Sequence, residues 1–293
     1  MKIGFIGLGL MGRAMVECLQ NAGHELRVLG NRDRTGVDEA VARGGAEAAN
    51  ARELVAASDM VMLCMATSEQ VEQRIYGDDG VLAGIKADQI VIDFGTSLPG
   101  STLKIGADLA AKGAGYLDAP LGRTPAFAKL GQLNILCGGD SAIFERAKPV
   151  LDQLSENLFY LGELGSGHTV KLLNNYYAMT SASAMSEAFA MADAAGVDRD
   201  TLYKVVAAGP NGSAMIGFIR NFAVDGQIDL AFSVANARKD VGYYRQMVAD
   251  LGKTSRMSGA AYGVLSDACD SGDGQLMVPE LVNWMSAHLE KDA

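Results

Sequence analysis

The chain is 293 residues long, 49% hydrophobic and 20% charged, with a formal net charge of −10. That length suits two domains, and the balanced composition points to an ordinary folded globule. The acidic balance excludes nucleic acid as the main partner, since phosphate contacts need a basic surface, but leaves open small anions held by local groups.

Lys2 to Ile6 is a short apolar run of β-formers, followed by Gly7-Leu8-Gly9-Leu10-Met11-Gly12 and a helical stretch to about Ala22. This is the strand, glycine loop and helix order of a dinucleotide-binding unit. Gly7 allows the tight turn, Gly9 a close backbone approach to a pyrophosphate, and Gly12 the packing of helix on strand. The helix N-terminus, at Leu10 and Met11, supplies amide protons to the phosphates. A second strand, Leu26 to Leu29, leads to Gly30-Asn31-Arg32-Asp33-Arg34. An acid at that strand end would accept the ribose hydroxyls of NAD, whereas arginine accommodates the 2′-phosphate of NADP. With Asn31 and Arg32 ahead of any acid, the loop points to NADP. NAD stays open if Asp33 meets the ribose and Arg32 and Arg34 only solvate the loop.

Strand and helix signals then alternate. Apolar runs at Asp59 to Met65, Ile90 to Asp93 and Gly115 to Asp118 are separated by helical stretches near Glu69–Ile75 and Pro99–Lys112. Such alternation predicts a doubly wound, mostly parallel sheet with ligands beyond the carboxyl ends of its strands. Three loops fall there: Ala66-Thr67, Gly95 to Ser97, and Asp118 to Pro125. Leu133 to Cys137 and Leu158 to Leu161 are expected as edge strands completing the first domain. After Gly162 the periodicity is helical with no strand signal. The expected fold is a Rossmann-like α/β domain over residues 1–163 and an all-α domain over 164–293.

The longest helical stretch, Thr169 to Ala195, is entered through Gly165-Ser166-Gly167-His168, with Ser166 and its glycines as the expected cap. Gly167, Lys171 and Asn175 are spaced i, i+4 and share one face. Apolar neighbours such as Leu172 and Leu173 leave little room for a wholly solvated helix, so Lys171 is expected to meet something polar, such as a substrate. His168 lies off that face and is read as a bystander. Phe232 to Leu251 reads as another helix, and spacing alone makes Lys239-Asp240 an exposed charged pair. The four cysteines include no CxxC pair and the three histidines no metal-ligand spacing, so free thiols, a reducing cytoplasm and no metal are expected. With no signal peptide or membrane-length apolar run, the expected localisation is cytoplasmic, away from membranes.

Taken together these motifs resemble the β-hydroxyacid dehydrogenase family, which includes 3-hydroxyisobutyrate dehydrogenase. The resemblance rests on GFIGLGLMG at 4–12, DAPLGRTPAFAKLGQL at 118–133, GSGHTVKLLNN at 165–175, and Lys239-Asp240, in the family's order. It implies an NAD(P)-dependent oxidoreductase of small anionic hydroxy acids or aldehyde acids, with Lys171 catalytic. Asn175 and the Gly122-Arg123-Thr124 loop would hold the acid group, while Met65, Ala66, Thr96, Phe232 and Lys239 would line the cofactor. A homodimer or homotetramer is expected. A lysine serves such chemistry if its pKa falls toward working pH, and a helix N-terminus, partial burial and oxidised nicotinamide all disfavour its ammonium form.

Three departures stand out. Gly122-Arg123-Thr124 replaces the family's usual Ser-Gly-Gly, Gly95 and Ala66 replace a usual serine and proline, and Met277 stands where an aspartate is common. Gly-Arg-Thr with Lys171, Asn174 and Asn175 resembles the sulfolactaldehyde reductase branch, where the arginine receives a sulfonate. The alternatives are a reductase of tartronate, succinic or methylmalonate semialdehyde, or a nucleotide-binding protein without catalysis.

Overall fold

Six strands form the main sheet in a computed structural model that describes residues 1–289. In chain order the chain makes β1 (Lys2–Ile6), α1 (Leu10–Asn21), β2 (Glu25–Leu29), α2 (Thr35–Ala42), β3 (Ala46–Ala48) and α3 (Ala51–Ala56). There follow β4 (Met60–Leu63), α4 (Ser68–Tyr76), α5 (Val81–Gly84), β5 (Ile90–Asp93), α6 (Pro99–Ala110) and β6 (Gly115–Asp118). All pairings are parallel, in the order β3-β2-β1-β4-β5-β6. Every residue of β4, β5 and β6 is buried, which is why these strands read as unbroken apolar runs rather than alternating ones. One face packs Met15, Val16 and Leu19 of α1 against the sheet, and the other packs Leu54, Val71, Ile75 and Leu109. The order reverses between β1 and β4, and there a doubly wound sheet opens a crevice beyond its carboxyl ends.

The two expected edge strands do not extend this sheet. After β6 the chain makes β7 (Leu121–Gly122), α7 (Pro125–Lys129), β8 (Leu133–Cys137), α8 (Ser141–Leu154) and β9 (Ser155–Tyr160), and β7-β8-β9 form a separate sheet. One bridge, Asp118 with Gly138, is the handover between the sheets. Two residues on, Pro120 has no N–H to continue a ladder on β6, and its carbonyl instead accepts Leu136 N at 3.1 Å.

The chain divides into two compact units, Met1–Lys171 and a second from Leu172 onward. The division falls inside α9 (Ser166–Ala195). The second unit continues with α10 (Arg199–Ala208), α11 (Ala214–Asp225), α12 (Val234–Asp250), α13 (Ser258–Asp270) and α14 (Leu281–His288). Its core gathers Phe189, Ile219, Val234, Leu265 and Leu281. Among the described residues it has no strand beyond the isolated bridge Ser233 with Met277, so the chain is a Rossmann-type α/β unit followed by helices. The Ser233 hydroxyl accepts Asn236 N, which starts α12 at Val234 rather than at the expected Phe232. No described helix is long and apolar enough to cross a membrane.

Candidate active site

The glycine loop joins β1 to α1, and two of its glycines are dictated by the protein itself. Gly7 has φ +101°, and a Cβ there would lie 2.3 Å from Cys64 O. A Cβ on Gly12 would lie 1.9 Å from Gly7 O. Gly9 differs, because a Cβ there would meet nothing within 4 Å. It is the N-cap of α1, with no side chain capping the helix. The first-turn amides of Leu10 and Met11 therefore border open space, which fits a pyrophosphate drawn onto a helix N-terminus.

At the end of β2 a cavity of about 540 Å3 is lined by Gly30, Asn31, Arg34, Glu47 and Ala48. Arg34 is committed: it forks onto Glu47 at 2.6 and 2.9 Å and reaches Asp38 at 3.3 Å. That fork holds the Glu47 carboxyl below its usual range. Asp33 is turned to its own backbone, accepting Thr35 N at 2.9 Å, and this bond lowers its carboxyl as well. Arg32 is exposed and, among the described residues, makes no ion pair.

The loops after β4 and β5 lie beside the glycine loop. The Met65 sulfur lies 3.0 Å from where a Gly7 Cβ would sit, and Met65 O lies 2.9 Å from a Cβ built on Gly95. Ala66 N donates to Gln70 Oε1, and Thr67 caps α4 through Gln70 N. Thr96 is half-buried between Gly95, whose N–H donates to Asp93 Oδ1, and Ser97, whose hydroxyl donates to Asp93 Oδ2. After β6, Gly122 ends β7 and Thr124 opens α7. Between them Arg123 has φ +77°, the left-handed region where glycine is cheapest. Its guanidinium pairs with Glu156, donates to Gln132 O at 2.7 Å and lies 5.1 Å over the Phe127 ring.

Helix α9 carries Lys171 half-buried in its second turn, with Asn175 one turn further on and buried. The expected cap at Ser166 is not what holds the helix start. Gly165 N donates to Asp118 Oδ1 at 2.8 Å and His168 N to Asp118 Oδ2 at 2.7 Å, so a carboxylate from the end of β6 satisfies these orphan amides. His168 is fully buried, with Nδ1 2.7 Å from the Thr102 hydroxyl.

In the second unit Asn175 Nδ2 donates to Asp240 Oδ2 at 2.6 Å, beside a Tyr176–Tyr244 stack with centroids 4.0 Å apart. Asp240 is 2% exposed and pairs with Lys239 Nζ at 2.9 Å, so the exposed charged pair read from spacing is instead a buried carboxylate with two partners. Asn174 is exposed and donates to Asn175 Oδ1 at 3.1 Å. Phe232 packs half-buried on the second unit's core.

What the sequence reading did not see is that three acids are buried: Asp93, Asp118 and Asp240. A signal existed for the first two, since each closes an apolar run at a strand's carboxyl end, where a charge is costly unless something answers it.

Comparison with known proteins agrees with this geometry. Residues 2–162 match the NAD binding domain of 6-phosphogluconate dehydrogenase, and residues 165–285 match the NAD-binding domain of NADP-dependent 3-hydroxyisobutyrate dehydrogenase. The chain is 32% identical to 3-sulfolactaldehyde reductase of Escherichia coli strain K12, over 93% of this chain and 92% of that one. It is 29% identical to 2-hydroxy-3-oxopropionate reductase of the same organism, over 94% of each. A structure of Mycobacterium tuberculosis 3-hydroxyisobutyrate dehydrogenase with L-serine superposes with a TM-score of 0.87 at 28% identity, covering 97% of this chain and 98% of that one. A glycine cradle open to a pyrophosphate, a lysine on the helix that follows the sheet, and these matches along nearly the whole length have one reading: the chain belongs to the 3-hydroxyisobutyrate (β-hydroxyacid) dehydrogenase family of nicotinamide-dependent oxidoreductases.

Proposed function

We propose that the protein is an NADP-preferring reductase interconverting a short 3-hydroxy acid and its semialdehyde, with Lys171 moving the proton at the reacting oxygen. The observation that carries this reading is a convergence within the first unit. The glycine loop, Met65-Ala66 and Thr96 follow the carboxyl ends of β1, β4 and β5, the 122–124 loop follows the short β7 three residues beyond β6, and the turn of α9 preceding Lys171 is hydrogen-bonded to the end of β6. Nicotinamide, when bound, supplies or accepts the hydride. In reduction the carbonyl carbon gains that hydride and Lys171 delivers a proton to the oxygen; in oxidation Lys171 takes the proton back. Asn175, fixed by Asp240, would present its amide to the substrate.

Two observations support the finer assignments. Arg32 is exposed and uncommitted while Arg34 is bound to Glu47, which leaves Arg32 with Asn31 to meet a 2′-phosphate. Arg123 occupies a left-handed backbone position that costs a non-glycine residue about 1–2 kcal/mol. A side chain kept there at such a cost is read as a binding group, and its fork suits two oxygens of a tetrahedral sulfonate, with the neighbouring Thr124 as a candidate for the third. A second reading, a carboxylate semialdehyde, is favoured by the Arg123–Glu156 pair, which already satisfies the guanidinium.

The deciding experiment compares kcat/KM for sulfolactaldehyde and for tartronate, succinic and methylmalonate semialdehydes, with NADPH and NADH, in wild type and Arg123→Gly. The expected result is a preference for NADPH and sulfolactaldehyde, the latter erased by the substitution. Better turnover with NADH overturns the cofactor assignment, an unchanged substrate ratio in the variant overturns the sulfonate, and no turnover of any aldehyde acid overturns catalysis.

A further inference from the structure

We propose that Asp118 is a positioning residue for proton transfer, acting through the first turn of α9 on Lys171; the inference rests on the reading of Lys171 given above. Asp118 is wholly buried at the carboxyl end of β6. Its backbone is held on both sides, since Asp118 N donates to Gly138 O at 3.1 Å and Gly138 N to Asp118 O at 2.8 Å. Its two carboxylate oxygens accept Gly165 N and His168 N, across 47 and 50 residues of sequence. Between those two amides, Gly167 lies where a Cβ would meet Leu136 O at 2.3 Å, so the backbone of the turn is pressed onto the sheets.

A second carboxylate lies close by, beyond hydrogen-bond distance of the buried His168 ring. His168 is wholly buried, with Nε2 3.7 Å from Asp93 Oδ2 and Nδ1 3.8 Å from Asp118 Oδ2. Asp93 in turn fixes the loop carrying Thr96, through Gly95 N and the Ser97 hydroxyl. Among the described residues no group of three or more His, Cys, Asp or Glu side chains is arranged to hold a metal ion.

The consequence for Lys171 is geometric. It follows His168 by three positions, which places it roughly 60° around the helix axis from a buried ring held at Nδ1 by the Thr102 hydroxyl. A cap alone would need only a serine or asparagine oxygen at the surface. Burying a full charge for that purpose costs several kcal/mol unless its bonds are well made. What two charge-assisted bonds to successive parts of one turn add is a fixed rotation and height for the helix. That fixes where on the first unit the helix carries Lys171.

The test is a double-mutant cycle on the full chain with NADPH and the preferred aldehyde acid. Asp118→Asn keeps the shape but turns an NH2 toward one of the two amide donors. Expected is a fall in kcat per cofactor-binding site on the order of ten- to hundredfold, the cost typical of a small misplacement of a reacting group. The Kd for NADPH should stay within about twofold, and in a Lys171→Met background the same change should alter the residual rate by less than about twofold. An equal fractional loss with and without Lys171 overturns the proposal, as does a loss that vanishes once rates are normalised to cofactor-binding sites. If Lys171→Met alone keeps a tenth of wild-type kcat, the assignment of Lys171 fails and the proposal with it. Should Asp118→Asn not fold, Thr102→Val releases His168 Nδ1 instead. It should cost about two- to tenfold in kcat through Lys171 alone, and no loss overturns the proposal.

Discussion

Gly9 and Gly12 sit three residues apart in one loop, yet alanine should do opposite things to them. At Gly12 a Cβ would lie 1.9 Å from Gly7 O and 3.0 Å from Phe5 Cε1, with backbone on one side and a buried ring on the other. Neither can withdraw without moving β1 or α1, so the overpacking should cost about 1–3 kcal/mol. For a unit of this size that is a fall in Tm of about 2–12 °C. At Gly9 nothing lies within 4 Å and φ is −68°, which alanine adopts freely. The poorer N-cap and the smaller loss of chain entropy roughly cancel, leaving less than about 1 kcal/mol either way. The cofactor, however, would meet the new methyl where it approaches the α1 amides. Loss of one charge-assisted bond, worth about 1.5–3 kcal/mol, weakens binding about ten- to hundredfold. Thermal unfolding without ligand and NADPH fluorescence titration separate the two effects. If Gly9→Ala lowers Tm as much as Gly12→Ala does, or binds NADPH like wild type, then Gly9 serves the fold and not a pyrophosphate.

Three further outcomes are expected. Lys171→Ala should lower kcat by about two to four orders of magnitude with cofactor affinity nearly intact, measured in steady state and by titration. Arg32→Ala should cost about ten- to hundredfold in kcat/KM for NADPH and little for NADH, whereas Arg34→Ala, which frees the exposed Glu47 and Asp38, should leave both the cofactor ratio and the Tm nearly unchanged. Burial, and secondarily the Asp118 charge, push the Cys137 thiol up to about 12 from an ordinary 9.0. The native thiol should therefore resist alkylation at pH 8. Its contribution to stability is complete below the unfolded value of 9.0. It is lost as pH climbs toward the folded value, by up to about 1.4 kcal/mol per pH unit. Urea unfolding from pH 8 to 10.5 with wild type and Cys137→Ala reads that difference.

The amino-acid order by itself determined the parts whose cause is local. Gly7 and Gly12 follow a β-forming run at the spacing a strand–turn–helix needs, and the structure places a tight turn and a close helix approach at those residues. The runs ending at Asp93 and Asp118 are wholly apolar before their last residue because both faces of those strands are covered. Helix α9 lacks any breaker after Gly167, and it runs unbroken to Ala195. The presence of Lys171 and Asn175 on one helical face was equally legible, because helical spacing needs no partner to define it.

What the tertiary structure decided is which charges are answered, and by what. Nothing near Arg34 marks it as Glu47's partner and Arg32 as the uncommitted one; the pairing of β2 with β3 brings Glu47 there. Nothing in Lys239-Asp240 tells a buried carboxylate from an exposed pair, because its partner Asn175 lies 65 residues away. Leu133–Cys137 has the look of an edge strand, and only the pairing with β7 and β9, beyond the break at Pro120, puts it into a second sheet. The hold on the α9 first turn lies in Asp118, not in the neighbouring Ser166, because a buried carboxylate can accept two amides at once only where the chain's topology delivers them. Periodicity and turn chemistry act over a few residues and can be read in order. A buried charge is settled by whatever the fold brings within about 3 Å of it, and that distance is not written along the chain.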